Sequence, residues 1–380
     1  MTAALRLLVL AAFLLLPAGL QAASVGTLDG RTLSGPALVL DGKAGTVACG
    51  GTTVALADCD WLEPGAGSGL PGAANRAFGV WLVDGSWLPA ERIRPGATDH
   101  TVELVGPLGA LTLPLAALRG WSTSGEPPAG EKADADQVQL ESGVYSGRVE
   151  GIVGGKLILR LDIDPKPQEL ALDQVRGLRL AGAPKSGRGL RLNAVLDDAH
   201  PPLRLLPGDP LTLAAAPGVA VGPAIGAVRL RIDGGRRVWL GDLAPAHVEE
   251  TGAFGVVWPW QKDRNLDGSP LRLGGVRYDH GLTVHSQAWL TWKTAGAYER
   301  LRATVGISDL VADQGDCAAT MLADGKTVWK RDSIKGGEKP LLLDLDLTGV
   351  QTLELRVDYG ARYDIGDHLV LADAYLIKAR

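Results

Sequence analysis

Leu271, Arg272, Leu273, Gly274, Gly275, Val276, Arg277, Tyr278, Asp279, His280, Gly281, Leu282, Thr283, Val284, His285, Ser286: this stretch decides the fold. Apolar residues lead into a Gly-Gly pair and out into a second alternating run. The pair supplies the positive-φ turn that joins antiparallel strands. Successive side chains of a strand face opposite ways, so Leu282 and Val284 take one side and Thr283 and His285 the other. A histidine is thereby set at a strand end beside a glycine-opened loop. Further short alternating runs follow at 289–293, 301–307, 318–322, 327–330, 340–347, 352–359 and 372–378. That number of strands separated by turns predicts two stacked antiparallel sheets.

Several blocks around these runs keep a fixed order: Val305-Gly306-Ile307-Ser308-Asp309, Ala323-Asp324-Gly325-Lys326-Thr327-Val328-Trp329, Gly366-Asp367-His368 and Ala372-Asp373-Ala374-Tyr375-Leu376. The lead-in Arg237-Val238-Trp239-Leu240-Gly241-Asp242-Leu243 belongs with them. Taken together they resemble the NPCBM family of carbohydrate-binding modules, which are galactose-binding-like β-sandwiches, over about residues 238–380. The resemblance implies a C-terminal jelly-roll sandwich with a shallow sugar site at one loop rim. It makes His285 the first candidate ligand, with Tyr278, Asp309, Asp367 and His368 at strand ends or adjoining loops. The other reading of His285 is a buried histidine holding a loop carbonyl. Trp258 and Trp260, flanking Pro259, are either an aromatic platform for a sugar ring or sandwich core, with core favoured for at least one of them. Related sandwiches hold a structural calcium between an early loop and an acid on the last strand. Asn265, Asp267 and Asp373 are the residues here with suitable oxygens, although an Asp-rich loop is equally a solvated turn. Where related modules often carry a tryptophan before the Ala-Asp-Ala block, this chain has Leu369, Val370 and Leu371.

The 380 residues suffice for two or three domains. Gly 51 and Pro 23 against 5% aromatic residues point to an all-β chain rich in turns. A net charge of -5 with interspersed signs gives no basic field and excludes nucleic acid as the expected partner. Residues 1–23 place Arg6 before an apolar run at 7–16 and end in small residues, the pattern of a secretory signal peptide. No later stretch is long and apolar enough to span a bilayer. The expected location is therefore secreted, periplasmic or cell-envelope. In such a compartment Cys49 and Cys59, flanking a hairpin, are a candidate disulfide; two small buried residues of one barrel is the competing reading. Cys317 is left as a strand core residue.

Between the signal and about residue 182 a unit recurs. It opens with Leu28-Asp29-Gly30, Val83-Asp84-Gly85 and Glu141-Ser142-Gly143, and closes with Leu56-Ala57, Leu113-Pro114-Leu115 and Leu170-Ala171-Leu172. Such units suit small twisted barrels and weakly resemble SH3-like or Sm-like barrels. The expected organisation is tandem small β-barrel repeats at 24–63, 76–122 and 137–182, a degenerate repeat or linker at 188–236, and the sandwich at 237–380. Linkers fall at 65–72 and 122–136, where Pro, Gly and charge gather.

No nucleophile elbow, His-Glu-x-x-His or phosphate loop is present. Carboxylate pairs such as Asp313 with Asp316, or Asp364 with Asp367, do not by themselves make a glycosidase. The sequence therefore predicts a non-catalytic exported protein that binds a polysaccharide or cell-envelope glycan, needs no cofactor beyond a candidate structural calcium, and has N-terminal barrels open to protein partners. The alternatives are an envelope scaffold or adhesin-like protein with a degenerate sugar site, which the missing tryptophan favours, and an accessory subunit of a glycoside hydrolase.

Overall fold

The computed structural model describes residues 22–65, 78–123, 134–164, 166–182, 189–196, 200–208, 210–222, 225, 228–361 and 363–380. Most of the expected signal peptide and much of both expected linkers lie outside these residues. Among the described residues every regular element is a strand or a short 3-10 turn. None is a helix long and apolar enough to cross a membrane.

The N-terminal repeats share one local plan. A three-residue 3-10 turn precedes a closing strand three times: Leu56–Asp58 before Cys59–Glu63, Leu115–Ala117 before Leu118–Ser122, and Leu172–Gln174 before Gly177–Arg179. In the first and third, the turn's leucine is buried, Leu56 and Leu172, which draws the chain over the core and sets the direction of the closing strand. The repeats do not close one by one. Cys59–Glu63 pairs with Leu230–Asp233, and Leu118–Ser122 pairs with Gly177–Arg179, so a seven-stranded and an eight-stranded sheet run across the repeat boundaries. One apolar core extends from Val25 to Ile232 beneath them. Pairing closing strands removes the exposed edges that separate small barrels would present.

The predicted disulfide is not formed. Cys49 ends the strand Thr46–Cys49 of a small three-stranded sheet, while the 3-10 turn carries Cys59 into the seven-stranded sheet. Both are buried free thiols, donating to the carbonyls of Ala23 and Ala55. Burial and the neighbouring Asp58 and Asp60 push the Cys59 thiol up to about 12.

The C-terminal segment is the expected antiparallel sandwich. One sheet orders Gln261–Lys262, Gly281–His285, His368–Lys378, Tyr298–Ile307 and Leu341–Asp346, with Arg237–Trp239 also against the last strand. The other orders His247–Glu250, Ala288–Lys293, Thr352–Tyr359, Asp316–Ala323 and Lys326–Lys335. Alternation fills the space between them: Leu290 and Trp292 point in from one strand, Leu353, Leu355 and Val357 from its neighbour.

The stretch 271–286 folds differently from a single hairpin. Gly274 and Gly275, at φ 62 and 81, close a ladder of only two pairs, Arg272 with Arg277 and Leu273 with Val276. The longer strand begins at Gly281 and pairs with the last strand. The small hairpin instead lids that sheet, burying Leu271 and Leu273 on Val370 and Ala372. Both faces of Gly281–His285 are therefore covered, and all five of its residues are buried.

Candidate functional site

Gly281–His285 and His368–Lys378 end in register with His285 opposite His368. Their imidazoles meet edge to face, ring centroids 5.7 Å apart. The segment 251–262 passes over them. It is held by a backbone pair between Thr251 and Gln287, by the Asp364 carboxylate accepting from the Ala253 N–H at 3.0 Å, and by Glu250 accepting from the Trp260 N–H at 2.6 Å. Gln261 and Lys262 then join the sheet edge opposite Thr283 and Leu282. The two tryptophans that flank Pro259 have different surroundings. Trp260 packs on the sandwich core, whereas Trp258 is 46% exposed with its ring 6.2 Å from His285 and 6.4 Å from His368.

This rim gathers one half-exposed indole and two imidazoles, both rings tilted against it by 33° and 44°. His285 is 5% exposed and its Nδ1 lies 2.6 Å from the Ser286 carbonyl, which fixes the ring. Burial, aided by His285, holds His368 down to about 4, so it is neutral at pH 7. A neutral imidazole both donates and accepts, as a hydroxyl partner requires. The exposed Asp267 interacts electrostatically with His368 and adds an acceptor to this side of the rim.

Residues 236–377 match the family model described as NPCBM/NEW2 domain. This segment is an NPCBM/NEW2 domain. A protein of Renibacterium salmoninarum named "Putative endo-alpha-N-acetylgalactosaminidase" is 30% identical over 91 residues, covering 24% of this chain and 6% of its own length. The chain thus spans a small fraction of that relative. Among solved structures, the CBM51 from Clostridium perfringens GH95 in complex with methyl-galactose is 24% identical with a TM-score of 0.34, covering 37% of this chain and 99% of that one. The tandem CBM51 modules of the family 98 glycoside hydrolase Sp3GH98 from Streptococcus pneumoniae are 17% identical with a TM-score of 0.34, covering 80% and 88%.

Of the site residues expected in the NPCBM/NEW2 domain, the structure gathers His285, His368 and Trp258 and disperses the rest. Asp367 is wholly buried: it accepts from the Ser286 hydroxyl at 2.6 Å and the Asp316 N–H at 3.0 Å, and burial raises its carboxyl. It braces the loop behind His285 and does not face solvent. Asp309 accepts from the N–H groups of Gly274 and Gly275 at 2.7 and 2.8 Å and so clamps the hairpin lid. Tyr278 packs on Leu271, Leu273, Val370 and Ala372 and bonds Thr304. Its electrostatic partners are Asp373 and Arg231, and Asp373 lies five residues along the strand from His368, about 17 Å at the usual rise.

The expected calcium ligands do not fit one ion. The Asn265 side-chain oxygen accepts from the Ser308 hydroxyl, while its amide donates to Ser269 and Pro270. Asp267 closes its own turn on Ser269, and Asp373 pairs with Arg231 at 2.6 Å. Among the described residues no three His, Cys, Asp or Glu side chains gather as a metal group. Sequence reasoning missed the roles of Glu250 and Asp364, whose bonds to the backbone of 251–262 hold the segment that carries Trp258; an acid at a strand end or in a loop gives no local sign that it holds a chain ten or more residues away.

Proposed function

We propose that the protein is an exported, non-catalytic glycan-binding protein whose NPCBM/NEW2 domain holds a sugar ring on Trp258. The half-exposed indole with two imidazoles against it carries this reading. Sugar rings offer an apolar face for stacking and hydroxyls for hydrogen bonds, and a shallow rim of this kind meets both needs. Asp267 adds an acceptor. His285 acts from beneath, fixed by the Ser286 carbonyl, so the contacts fall to Trp258 and His368. The absence of any nucleophile or metalloenzyme motif in the sequence supports a binding role.

The test is a glycan array and polysaccharide pull-down with the full chain and with Trp258→Ala. Binding to a defined glycan that the variant loses, at unchanged melting temperature, supports the reading. No binding across a broad array would instead favour the scaffold or adhesin-like alternative. One observation favours that second reading: Leu369, Val370 and Leu371 are all buried, so the last strand contributes no second aromatic to the rim.

A further inference from the structure

A second constellation lies where the sandwich meets the first and last N-terminal strand groups. A cavity of about 410 Å³ opens there, lined by Asp60, Trp61, Val195, Arg229, Arg231 and Asp373. Its size falls in the roughly 300–1,000 Å³ of small-ligand clefts. Trp61 lies flat on Gly26, where a Cβ would come within 2.2 Å of its Nε1, so no larger residue fits beneath the indole. The Arg229 guanidinium stacks on this ring, 4.1 Å from its centroid. Stacking fixes the plane of the guanidinium and leaves its N–H edge free. Charges in the cavity pair off except for this one. Arg237 takes Asp60 and Arg231 takes Asp373, while among the described residues no carboxylate pairs with Arg229.

The sandwich adds an acceptor without a donor. A β-bulge in the last strand sets Asp373 and Ala374 opposite Ala303 and puts Asp373 at φ 48, a left-handed conformation uncommon outside glycine. That geometry aims the carboxylate across the interface. Oδ2 meets Arg231, and Oδ1 has no hydrogen-bond partner. Strained backbone and an unsatisfied polar atom concentrate at functional sites.

We propose that this cavity is a second ligand site, distinct from the Trp258 rim, for a carboxylate-bearing saccharide such as a uronic-acid residue. The ligand carboxylate meets Arg229 in the bidentate manner of guanidinium pairs, and a ligand hydroxyl donates to the part of the Asp373 carboxylate that lines the cavity. A simple carboxylate such as acetate has no such donor, and a neutral sugar forgoes the charge-assisted bond to Arg229. The site exists only when the sandwich is seated on the N-terminal body, since each contributes part of it.

The experiment is calorimetric titration of the full chain with glucuronic acid and with oligogalacturonate, against galactose, acetate and inorganic phosphate. The acidic saccharides are expected to bind and to weaken with added salt. Arg229→Gln should reduce their affinity on the order of tenfold or more, and Val195→Trp, which fills the cavity mouth, should do the same. Trp258→Ala should leave this binding intact, which separates failure of this proposal from failure of the rim. No binding by the folded wild type, undiminished binding in both cavity variants, or equal displacement by acetate or phosphate would overturn it.

Discussion

Single side chains decide what the rim is. His368 is held near 4 mainly by burial, against 6.5 for an ordinary histidine. Between those values the unfolded chain takes up a proton that the folded chain refuses, so the stability of the fold falls as pH drops from 6.5 toward 4 and levels below it. Melting temperature measured across that window should decline, and His368→Asn should flatten the decline; identical slopes for both proteins would show that His368 is not the group responsible. Which residues form the rim was half legible in the sequence. His285 and His368 were named on the family resemblance and their places at strand ends or adjoining loops, and Trp258 on its place near a loop beside Pro259; the structure brings the three rings together. Asp367, Asp309 and Tyr278 were misassigned because their roles rest on partners distant in sequence: Ser286 and Asp316 for the first, the Gly274-Gly275 turn for the second, Thr304 for the third. No pattern within a strand reports such contacts.

At the scale of elements, alternation carried most of the information. Leu290 and Trp292 facing in, Trp289 and Thr291 facing out, is the period-2 pattern realised. The pattern was less informative where a strand is covered twice, as at Gly281–His285, whose second face is hidden by the small hairpin. That lid is held by the Asp309 carboxylate across two glycine N–H groups. Asp309→Ala should cost about 1–2 kcal/mol, the range for two charge-assisted bonds at an exposed site, read as a shift in the urea midpoint. It should also speed amide exchange at Gly274 and Gly275. A midpoint and exchange rates equal to wild type would show that the lid is fixed by its leucines alone. Local repetition also disclosed the recurring unit, yet not its 3-10 turns, which begin at leucines read as strand, nor that closing strands of different repeats pair with one another, because strand partnership is set by three-dimensional proximity.

The whole molecule behaves as a body with its sandwich seated firmly upon it. Arg236 reaches Asp58 and Glu299 at 2.7 and 2.6 Å, bridging the first repeat to the sandwich. The Arg302 guanidinium donates to the Leu28 carbonyl, and Leu28 joins Trp239, Tyr375 and Ile377 in a small apolar cluster at the seam. Arg237 is the pivot, its side chain 1% exposed, paired with Asp60, bonded to the Ile232 carbonyl and stacked on Tyr375 at 4.4 Å. Removing one member of such a buried pair costs about 3 kcal/mol or more, since the partner is left uncompensated. Arg237→Ala should therefore lower the denaturation midpoint and split a single transition into two as the sandwich unseats. A change within about 0.5 kcal/mol, typical of an unimportant surface site, would refute the seating. Composition foretold an all-β chain, but nothing in it pointed to this seam, most of whose ion pairs join residues more than 140 positions apart, as in Arg231 with Asp373.

The most direct test of the account compares two exposed tryptophans of the same sandwich, Trp258 at the rim and Trp289, 42% exposed on the outer face of the second sheet. Isothermal titration of the full chain with a neutral glycan it binds, free of carboxylates, should show Trp258→Ala weakening affinity roughly tenfold or more, the scale of a lost aromatic stack and its buried area, while Trp289→Ala binds as wild type. Affinity unchanged by Trp258→Ala, or lost through Trp289→Ala instead, would contradict the assignment of the rim.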